Sequence, residues 1–381
     1  MSDLIVGTVL KNGKYRIEQV LGRGSFGITY LATTSLQTNA PLGEVALEYR
    51  VTIKEFFMSE MNTRSADGSR VEGSSITLVA NYKRKFIREA YNLSRLNHEN
   101  IVKVLEVFEE NNTAYYVMEY VDGGSIDELI QRHGYLTTPQ TVAIVRQICK
   151  ALEYMHANRM LHLDLKPKNI MISSSRKVKL IDFGLSKQYT ENGQPEDSTT
   201  IGLGTPGYAP LEQSQYKQDG SLPVTLDVYA LGATMFKMLT GQVPPEAPYL
   251  LNEEYLLPNA LNMSRVDPFM VEVVCKAMAP MKKNRYQSIL EIDNILSRAN
   301  VDDHVALMSL IIVTTSPVPP PVQEPPVPPV PTPPITPLKG KKNSSLKWII
   351  FIVVFVLVIV ALVLFLTQFS NGHPGFIDTK N

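Results

Sequence analysis

The chain has 381 residues, 44% of them hydrophobic, and its 37 basic side chains are balanced by 37 acidic ones. This length is enough to bury a large core and exceeds a usual single domain, so one two-lobed domain with appendages fits. The absence of net charge gives no reason to expect a nucleic-acid partner, and the two cysteines, in apolar helical patterns, favour buried thiols in a reducing compartment.

The first feature along the chain is a pair of predicted strands within residues 15–31, joined by a glycine-rich loop. Glycines at positions 22, 24 and 27 let the backbone approach phosphate oxygens and point amide groups at them. A glycine-rich hairpin without function has the same pattern, so the loop alone is a weak signal. Strand residues follow it instead of a helix, which distinguishes it from the dinucleotide-binding loop.

The next segments are a strand, an insertion and a helix. Residues 51–54 alternate as a strand does and end on Lys54. Residues 57–82 are polar and rich in glycine and serine, which predicts an exposed insertion without an assigned role. Apolar side chains then recur at helical spacing over residues 83–96, and this helix carries Glu89.

Two more strands and a helical region follow. The strands are predicted at residues 102–108 and 113–118, with a turn of polar residues between them. Residues 117–121 lead into helical patterns, of which residues 138–158 form a long amphipathic helix. The pattern therefore indicates a β-rich first part and a helical second part.

The most informative stretch reads H-L-D-L-K-P-K-N at residues 162–169 and is followed by D-F-G at residues 182–184. An acid that can orient a hydroxyl, a cation for a moving phosphate, and oxygen ligands for Mg²⁺ are what phosphoryl transfer requires. A polar loop between two strands is the alternative interpretation. Two such motifs in this order and spacing disfavour it.

Together with the glycine-rich loop and Lys54, these motifs resemble the protein kinases of the eukaryotic Ser/Thr type, also called Hanks-type kinases. The resemblance implies an α+β, two-lobed protein kinase fold over residues 15–299. The N-lobe would end near residue 118, and the C-lobe would begin at 119. The implied cofactors are ATP and Mg²⁺, with Mn²⁺ as an alternative ion.

The resemblance also implies the catalytic roles. Asp164 would orient the substrate hydroxyl or accept its proton, while Lys166 would neutralise the phosphate in transfer. Asn169 and Asp182 would hold the Mg²⁺ ions. Asp164, Lys166 and Asn169 are thus the implied catalytic residues.

The nucleotide site follows from the same resemblance. Lys54 would hold the α- and β-phosphates and be aimed by an ion pair with Glu89. Backbone groups of Glu119 and Val121 would bond the adenine edge. The other implied nucleotide-binding residues are Leu21, Gly22, Arg23, Gly24, Ser25, Phe26, Gly27, Thr29, Thr52, Met118, Met171 and Asp182.

Several positions narrow the type of kinase. Lys166 and Thr205, the latter in G-T-P-G-Y, match the Ser/Thr-specific branch, so the implied acceptor is a protein Ser or Thr. Leu163 replaces the arginine that usually receives an activation-segment phosphate, and leucine offers no donor. Self-phosphorylation within residues 198–200 is a hypothesis that remains compatible with this change.

Two acidic residues resemble structural supports of the same fold. Glu212 takes the place of the acid that pairs with a distant arginine, here Arg285, and Asp227 resembles the aspartate that binds the catalytic-loop backbone. Since every catalytic residue type is present, an active enzyme is favoured over a silent, nucleotide-binding pseudokinase scaffold. A small-molecule kinase of this fold is a third alternative, against which G-T-P-G-Y argues.

The rest of the chain predicts a tether. Residues 300–346 form a linker that is proline-rich at 316–337 and then lysine-rich, so a stiff spacer is favoured over an SH3-type ligand. Residues 348–366 contain no charge and would span about 28 Å as a helix, which predicts a transmembrane helix at 347–367.

The distribution of lysines around this segment predicts its orientation. They cluster before the apolar segment, which places the kinase domain in the cytoplasm and a short tail, residues 368–381, outside. The chain thereby resembles bacterial single-pass kinases of the cell membrane. The resemblance implies that the partners are a membrane and protein substrates, and it allows self-association. No nucleic-acid partner is expected.

Overall fold

The computed structural model describes residues 3–24, 26–40, 43–73, 76–182, 187–188, 204–214, 223–252, 255–264 and 266–311. Their strands are β1 (Val9–Leu10), β2 (Tyr15–Gly24), β3 (Gly27–Ala40), β4 (Gly43–Phe56), β5 (Asn62–Arg64), β6 (Val71–Gly73), β7 (Val104–Glu110), β8 (Thr113–Glu119), β9 (Met160–Leu161), β10 (Ile170–Ile172), β11 (Val178–Leu180) and β12 (Lys187–Gln188). Their helices are α1 (Ile76–Ser94), α2 (Ile126–His133), α3 (Thr138–Ala157), α4 (Leu211–Ser214), α5 (Thr225–Thr240), α6 (Ala247–Leu251), α7 (Leu257–Met263), α8 (Pro268–Ala277), α9 (Ile289–Leu296) and α10 (Asp303–Met308). Two 3-10 turns lie at Pro167–Asn169 and Lys282–Asn284.

The first lobe is built on one antiparallel sheet with the strand order β1-β2-β3-β4-β8-β7. The strands predicted from alternation are confirmed, and the turn between β7 and β8 uses Asn111 and Asn112 with φ of 54° and 61°. Asparagine tolerates this left-handed conformation better than most residues, which explains why the hairpin turns there.

The two faces of this sheet bury different clusters. Phe56 and Tyr116 pack with Phe86 of α1 on the face toward the second lobe, with ring centroids 5.7 and 5.1 Å from the Phe86 ring. On the other face, Tyr30 and Ile53 lie in register and pack with the chain's N-terminal residues. Side chains alternate along a strand, so neighbouring positions on β4 serve opposite faces.

Residues before position 15, the predicted start of the domain, cover the face of the sheet that carries Tyr30 and Ile53. Leu4 and Leu10 are 3% and 0% exposed and belong to the outer-face cluster. The β5–β6 hairpin adds Val71, whose amide donates to Asn111 O at 2.9 Å and whose carbonyl accepts from Asn112 Nδ2 at 2.9 Å. The folded part therefore includes the N-terminal segment and this hairpin.

The expectation that residues 57–82 form an exposed insertion is wrong for part of the segment, since Phe57, Met58 and Val71 are buried whereas Glu60 and Asp67 are exposed. Arg64, on β5, reaches beneath the hairpin and binds Glu55 Oε1 and Oε2 at 3.1 and 2.6 Å, and the two side chains are 1% and 0% exposed. Tyr30 and Tyr115 also donate to Glu55, at 2.8 and 3.0 Å. A charge cannot be buried without such partners, so Arg64 belongs to the lobe's interior, while other residues of the segment, such as Asp67, are exposed.

The second lobe is helical. Helix α3 packs against α5, α9 and α10, and α5 packs against α8, in one continuous core. The helix predicted at 138–158 is confirmed as α3, which begins with a capping box between Thr137 and Gln140. Helix α10 lies within the segment predicted as linker and buries Ala306 and Leu307, so the folded part continues past residue 299. The two-lobed α+β arrangement is confirmed.

Several predicted features lie outside the described residues: Ser25, Phe183, residues 198–200, the proline-rich segment, the predicted transmembrane helix at 347–367 and the tail at 368–381. Among the residues that are described, no helix combines the length and apolar character needed to cross a membrane.

Candidate active site

The loop between β9 and the turn Pro167–Asn169 is shaped by a buried acid on α5. Asp227 accepts hydrogen bonds from the amides of His162 and Leu163 at 3.0 and 2.9 Å and contacts His156 Nε2 at 2.8 Å. Burial would raise the pKa of Asp227, but these partners hold it below its ordinary value. The predicted contact between Asp227 and the loop backbone is thus present. It holds Leu163 at a φ of 63°, a conformation that is strained for leucine.

Asp164 lies at the centre of a hydrogen-bonded cluster. Its Oδ2 is 2.8 Å from Lys166 Nζ and accepts from Asn169 Nδ2 at 3.0 Å, and its Oδ1 accepts from Thr205 Oγ1 at 2.7 Å. Lys166 Nζ also donates to Thr205 Oγ1 at 2.7 Å. The side chains of Asp164 and Lys166 are 14% and 20% exposed, so the carboxylate is held rigidly yet remains open on one side.

The structure brings Asn169 next to Asp182 through the backbone. The amide of Ile181 donates to Asn169 O at 2.9 Å, and β10 pairs with β11 directly before this contact. Because Asn169 Nδ2 donates to Asp164, the amide oxygen of Asn169 is the atom left for a cation. Among the described residues, no group of three His, Cys, Asp or Glu side chains could hold a metal ion. One carboxylate and one amide oxygen nevertheless fit Mg²⁺, which usually takes its other ligands from water and phosphates.

Lys54 binds Asp182 across the cleft. The Nζ to Oδ1 distance is 2.6 Å, and the two side chains are 17% and 43% exposed. Burial opposes the charge on Lys54, but the neighbouring acid, Asp182, raises its pKa, and the charge of Lys54 lowers the pKa of Asp182. Lysine and aspartate are therefore both charged at neutral pH.

The predicted ion pair between Lys54 and Glu89 is not formed in the described structure, because Lys54 is paired with Asp182 instead. Glu89 lies half-buried on α1, close enough to feel both charges. Burial raises the pKa of Glu89 to about 8, against the opposing effect of Lys54. With Lys54 bound to Asp182, the charge of Lys54 offsets the burial of Glu89 only in part, so the raised pKa of Glu89 is a consequence of this alternative pairing.

Five of the predicted nucleotide-binding residues on the sheet share one face, whereas Arg23, which is paired with Ile28, lies on the opposite face. Gly22 is paired with Thr29, Thr29 with Lys54, and Thr52 with Met118, and residues paired across antiparallel strands point to the same side. Thr52 and Met118 are 9% and 8% exposed, so they form a buried surface next to Lys54. The structure therefore places these five residues of the predicted adenine and phosphate sites on one surface.

The glycine-rich loop is held from two sides. Arg23 binds Asp3 with Nε 2.9 Å from Oδ1, and the exposed ring of Phe26 stacks on Tyr82 of α1 at 5.4 Å. At Gly27 an added Cβ would lie 2.6 Å from Glu55 O, so only glycine fits there. Leu21 is 43% exposed at the start of the loop, and Gly24 ends β2.

The segment between the lobes is fixed by Glu119. Its amide donates to Lys103 O at 3.0 Å, so any contact of Glu119 with adenine would use its carbonyl oxygen. Its carboxylate accepts from Lys103 N at 2.8 Å and from Lys179 Nζ at 2.6 Å, which ties the segment to β11. Val121 is buried, and Met171 lies half-buried on β10 opposite Lys179.

The predicted ion pair of Glu212 with Arg285 is confirmed. Arg285 Nη1 and Nη2 lie 2.5 and 3.1 Å from the two carboxylate oxygens, and the arginine side chain is fully buried. Arg285 also donates to the carbonyls of Ala279, Thr225 and Pro280.

Sequence reasoning missed two residues of this region. Thr205 was assigned only as a marker of Ser/Thr specificity, although it donates to Asp164. Gln213 carried no signal at all in the sequence, yet its Nε2 donates to Leu163 O at 3.0 Å.

Comparison with known proteins gives one family match and several relatives. Residues 70–265, just over half of the chain, match the family described as "Protein kinase domain". The serine/threonine-protein kinase PknB of Mycobacterium tuberculosis is 32% identical over 226 residues, which cover 57% of this chain and 36% of that protein. A probable PknB of Lactococcus lactis is 30% identical over 285 residues, covering 73% of this chain and 41% of that protein.

A probable serine/threonine-protein kinase of Clostridium acetobutylicum is 30% identical over 302 residues, covering 77% of this chain and 41% of that protein. The chain thus spans roughly two fifths of the length of these three relatives.

Proposed function

Because the chain belongs to the protein kinase family, we propose that it transfers the γ-phosphate of ATP to Ser or Thr hydroxyls of proteins. The single observation that carries this proposal is the cluster at Asp164, in which Lys166, Asn169 and Thr205 converge on one carboxylate. The names of the relatives, which are serine/threonine-protein kinases, support the same acceptor class.

The proposal gives each of these side chains a role. Asp164 orients the acceptor hydroxyl and takes its proton, and Lys166 lies beside it to neutralise charge on the phosphate in transfer. Lys54, now on Asp182, is the cation available to the α- and β-phosphates. Mg²⁺ would be held by Asn169 and Asp182 and would supply charge neutralisation at the phosphate oxygens.

The pseudokinase alternative is not favoured. A silent scaffold needs no preserved geometry around Asp164, whereas here both carboxylate oxygens have partners within 3.0 Å. The G-T-P-G-Y motif that contains Thr205 resembles that of protein kinases, which supports a protein acceptor over a small alcohol.

Phosphate transfer by the full chain tests the proposal directly. With Mg-ATP and a generic protein substrate, Asp164→Asn should lower kcat at least a hundredfold, since general-base catalysis contributes roughly 10² to 10⁴. Asp67→Asn is the matched control, because the bonds of Asp67 within the described part of the chain are local, to Ser65 and Ser69. Equal rates for Asp164→Asn and wild type would remove the enzyme assignment.

The proposal includes a membrane tether and self-phosphorylation. The uncharged stretch at 348–366 and the lysines before it support an anchored chain with its kinase domain in the cytoplasm of the cell. Deleting residues 347–367 should move the kinase activity from the membrane fraction to the soluble fraction. An unchanged distribution would refute the tether.

Self-phosphorylation has a separate test. Mass spectrometry of the chain incubated with ATP should find phosphate within residues 198–200, and Asp164→Asn should lack it. Phosphate in neither protein would remove this part of the proposal.

A further inference from the structure

The residue before Asp164 is held at both of its polar backbone groups. The amide of Leu163 donates to Asp227 Oδ1 at 2.9 Å, and its carbonyl accepts from Gln213 Nε2 at 3.0 Å. Leu163 and Gln213 are each 2% exposed, so water does not compete for these bonds. The φ of 63° at Leu163 is unfavourable for a side chain with a Cβ, and such a conformation persists only where its surroundings hold it.

The two residues that bond to Leu163, Asp227 and Gln213, lie on helices that are both linked to Arg285. Gln213 lies on α4 next to Glu212, whose carboxylate is bound by the buried Arg285. Arg285 Nη1 also donates to Thr225 O at the start of α5, the helix that carries Asp227. The two groups that hold Leu163 are therefore fixed relative to each other by one arginine.

The amide of Gln213 also contacts the segment that leads into Thr205. Gly204 has a φ of 72°, and a Cβ added there would lie 2.7 Å from Gln213 Nε2. Thr205, the next residue, donates to Asp164 Oδ1. Gln213 thus packs against the Gly204 backbone, which precedes a partner of Asp164, and donates to the carbonyl of Leu163, which directly precedes Asp164.

We propose that Gln213 is a positioning residue for Asp164, acting through the Leu163 carbonyl and the Gly204 backbone. The catalytic consequence rests on the proposed function. Since Leu163 has no donor to offer an activation-segment phosphate, the Gln213 amide provides a bond to this loop that needs no modification. The plainer alternative is that Gln213 only satisfies a buried carbonyl.

The experiment compares Gln213→Met with Gln287→Met in the full chain. Methionine keeps the length of glutamine but has no donor, and Gln287 Nε2 likewise donates to backbone carbonyls, those of Lys282 and Arg285, on an exposed side chain. Steady-state kinetics are measured for both variants and for Gln213→Met in an Asp164→Asn background. Amide hydrogen exchange of peptides covering residues 160–166 is measured by mass spectrometry.

We expect Gln213→Met to lower kcat about tenfold or more with KM for ATP within twofold of wild type, because small displacements of a catalytic group are costly. No further loss is expected in the Asp164→Asn background, and exchange in residues 160–166 should quicken only in Gln213→Met. An equal loss of kcat in both backgrounds, or unchanged kcat and unchanged exchange, would overturn the proposal. If wild type transfers no phosphate, the proposed function fails, and the exchange result alone decides whether Gln213 holds the loop.

Discussion

Replacing Arg64 by methionine is expected to destabilise the first lobe by about 3 kcal/mol, because it leaves the Glu55 carboxylate buried without a cation. Glu55 is fully buried and binds both terminal nitrogens of Arg64. Removing one partner of such a pair costs roughly 3 to 5 kcal/mol. Burial and the charge of Glu55 raise the pKa values of Tyr30 and Tyr115, so both hydroxyls still donate at neutral pH and place the loss at the lower end.

Thermal unfolding of the full chain followed by circular dichroism measures this loss. For a folded part of this size, about 3 kcal/mol corresponds to a decrease in Tm on the order of 5 °C. Arg132→Met is the matched control, since Arg132 faces Glu128 at 3.7 Å with both side chains exposed, and such pairs contribute about 0.5 kcal/mol or less. The double change Arg64→Met with Glu55→Gln should recover part of the loss, because the uncompensated charge is gone.

Two results would contradict a destabilising loss of the Arg64–Glu55 pair. One is an equal decrease in Tm for Arg64→Met and Arg132→Met, which would mean that the buried pair behaves as a surface pair. The other is a double variant that is less stable than Arg64→Met by the full cost of a second lost partner.

Two further predictions concern the cleft and the activation segment. The pKa of Glu89 is raised from 4.5 to about 8, so the contribution of this carboxyl to stability is complete below pH 4.5 and is lost as the pH rises through 8. The Tm of wild type should therefore fall relative to the Tm of Glu89→Gln between pH 5 and 9. A constant difference in Tm would contradict the burial of this carboxyl. Replacing residues 198–200 by alanine should leave kcat within about twofold of wild type, because Leu163 offers a phosphate no hydrogen bond; a large loss measured in the same transfer assay would show that another group receives the phosphate.

The parts of the site that the sequence could predict are those set by local pattern. Alternation placed Thr52 and Lys54 on the same side of one strand, and the H-L-D-L-K-P-K-N motif placed Asp164 and Asn169 five residues apart on one loop. Glu212 and Arg285 could be paired only through the family resemblance, because 73 residues separate them. These predictions rest on backbone geometry or on a complete motif.

The features that sequence reasoning missed depend on how distant side chains meet. The segment around Arg64 is polar in composition, and nothing local shows that Glu55 lies beneath it. The partner of Lys54 depends on where the packing of the whole lobe places Glu89 and Asp182, and this cannot be read from the residues around any one of the three. A single glutamine such as Gln213 has no periodicity or motif that separates it from a surface residue.

The cover over the outer face of the sheet has a practical consequence for work with shortened chains. Leu4 and Leu10 shield Tyr30 and Ile53, and Asp3 holds Arg23 of the glycine-rich loop. A fragment that starts at Tyr15 would expose this hydrophobic surface to solvent, and two copies could associate through it. Aggregation of such a fragment, or a more mobile glycine-rich loop in it, would then result from the absence of the residues before Tyr15 and would not be a property of the full chain.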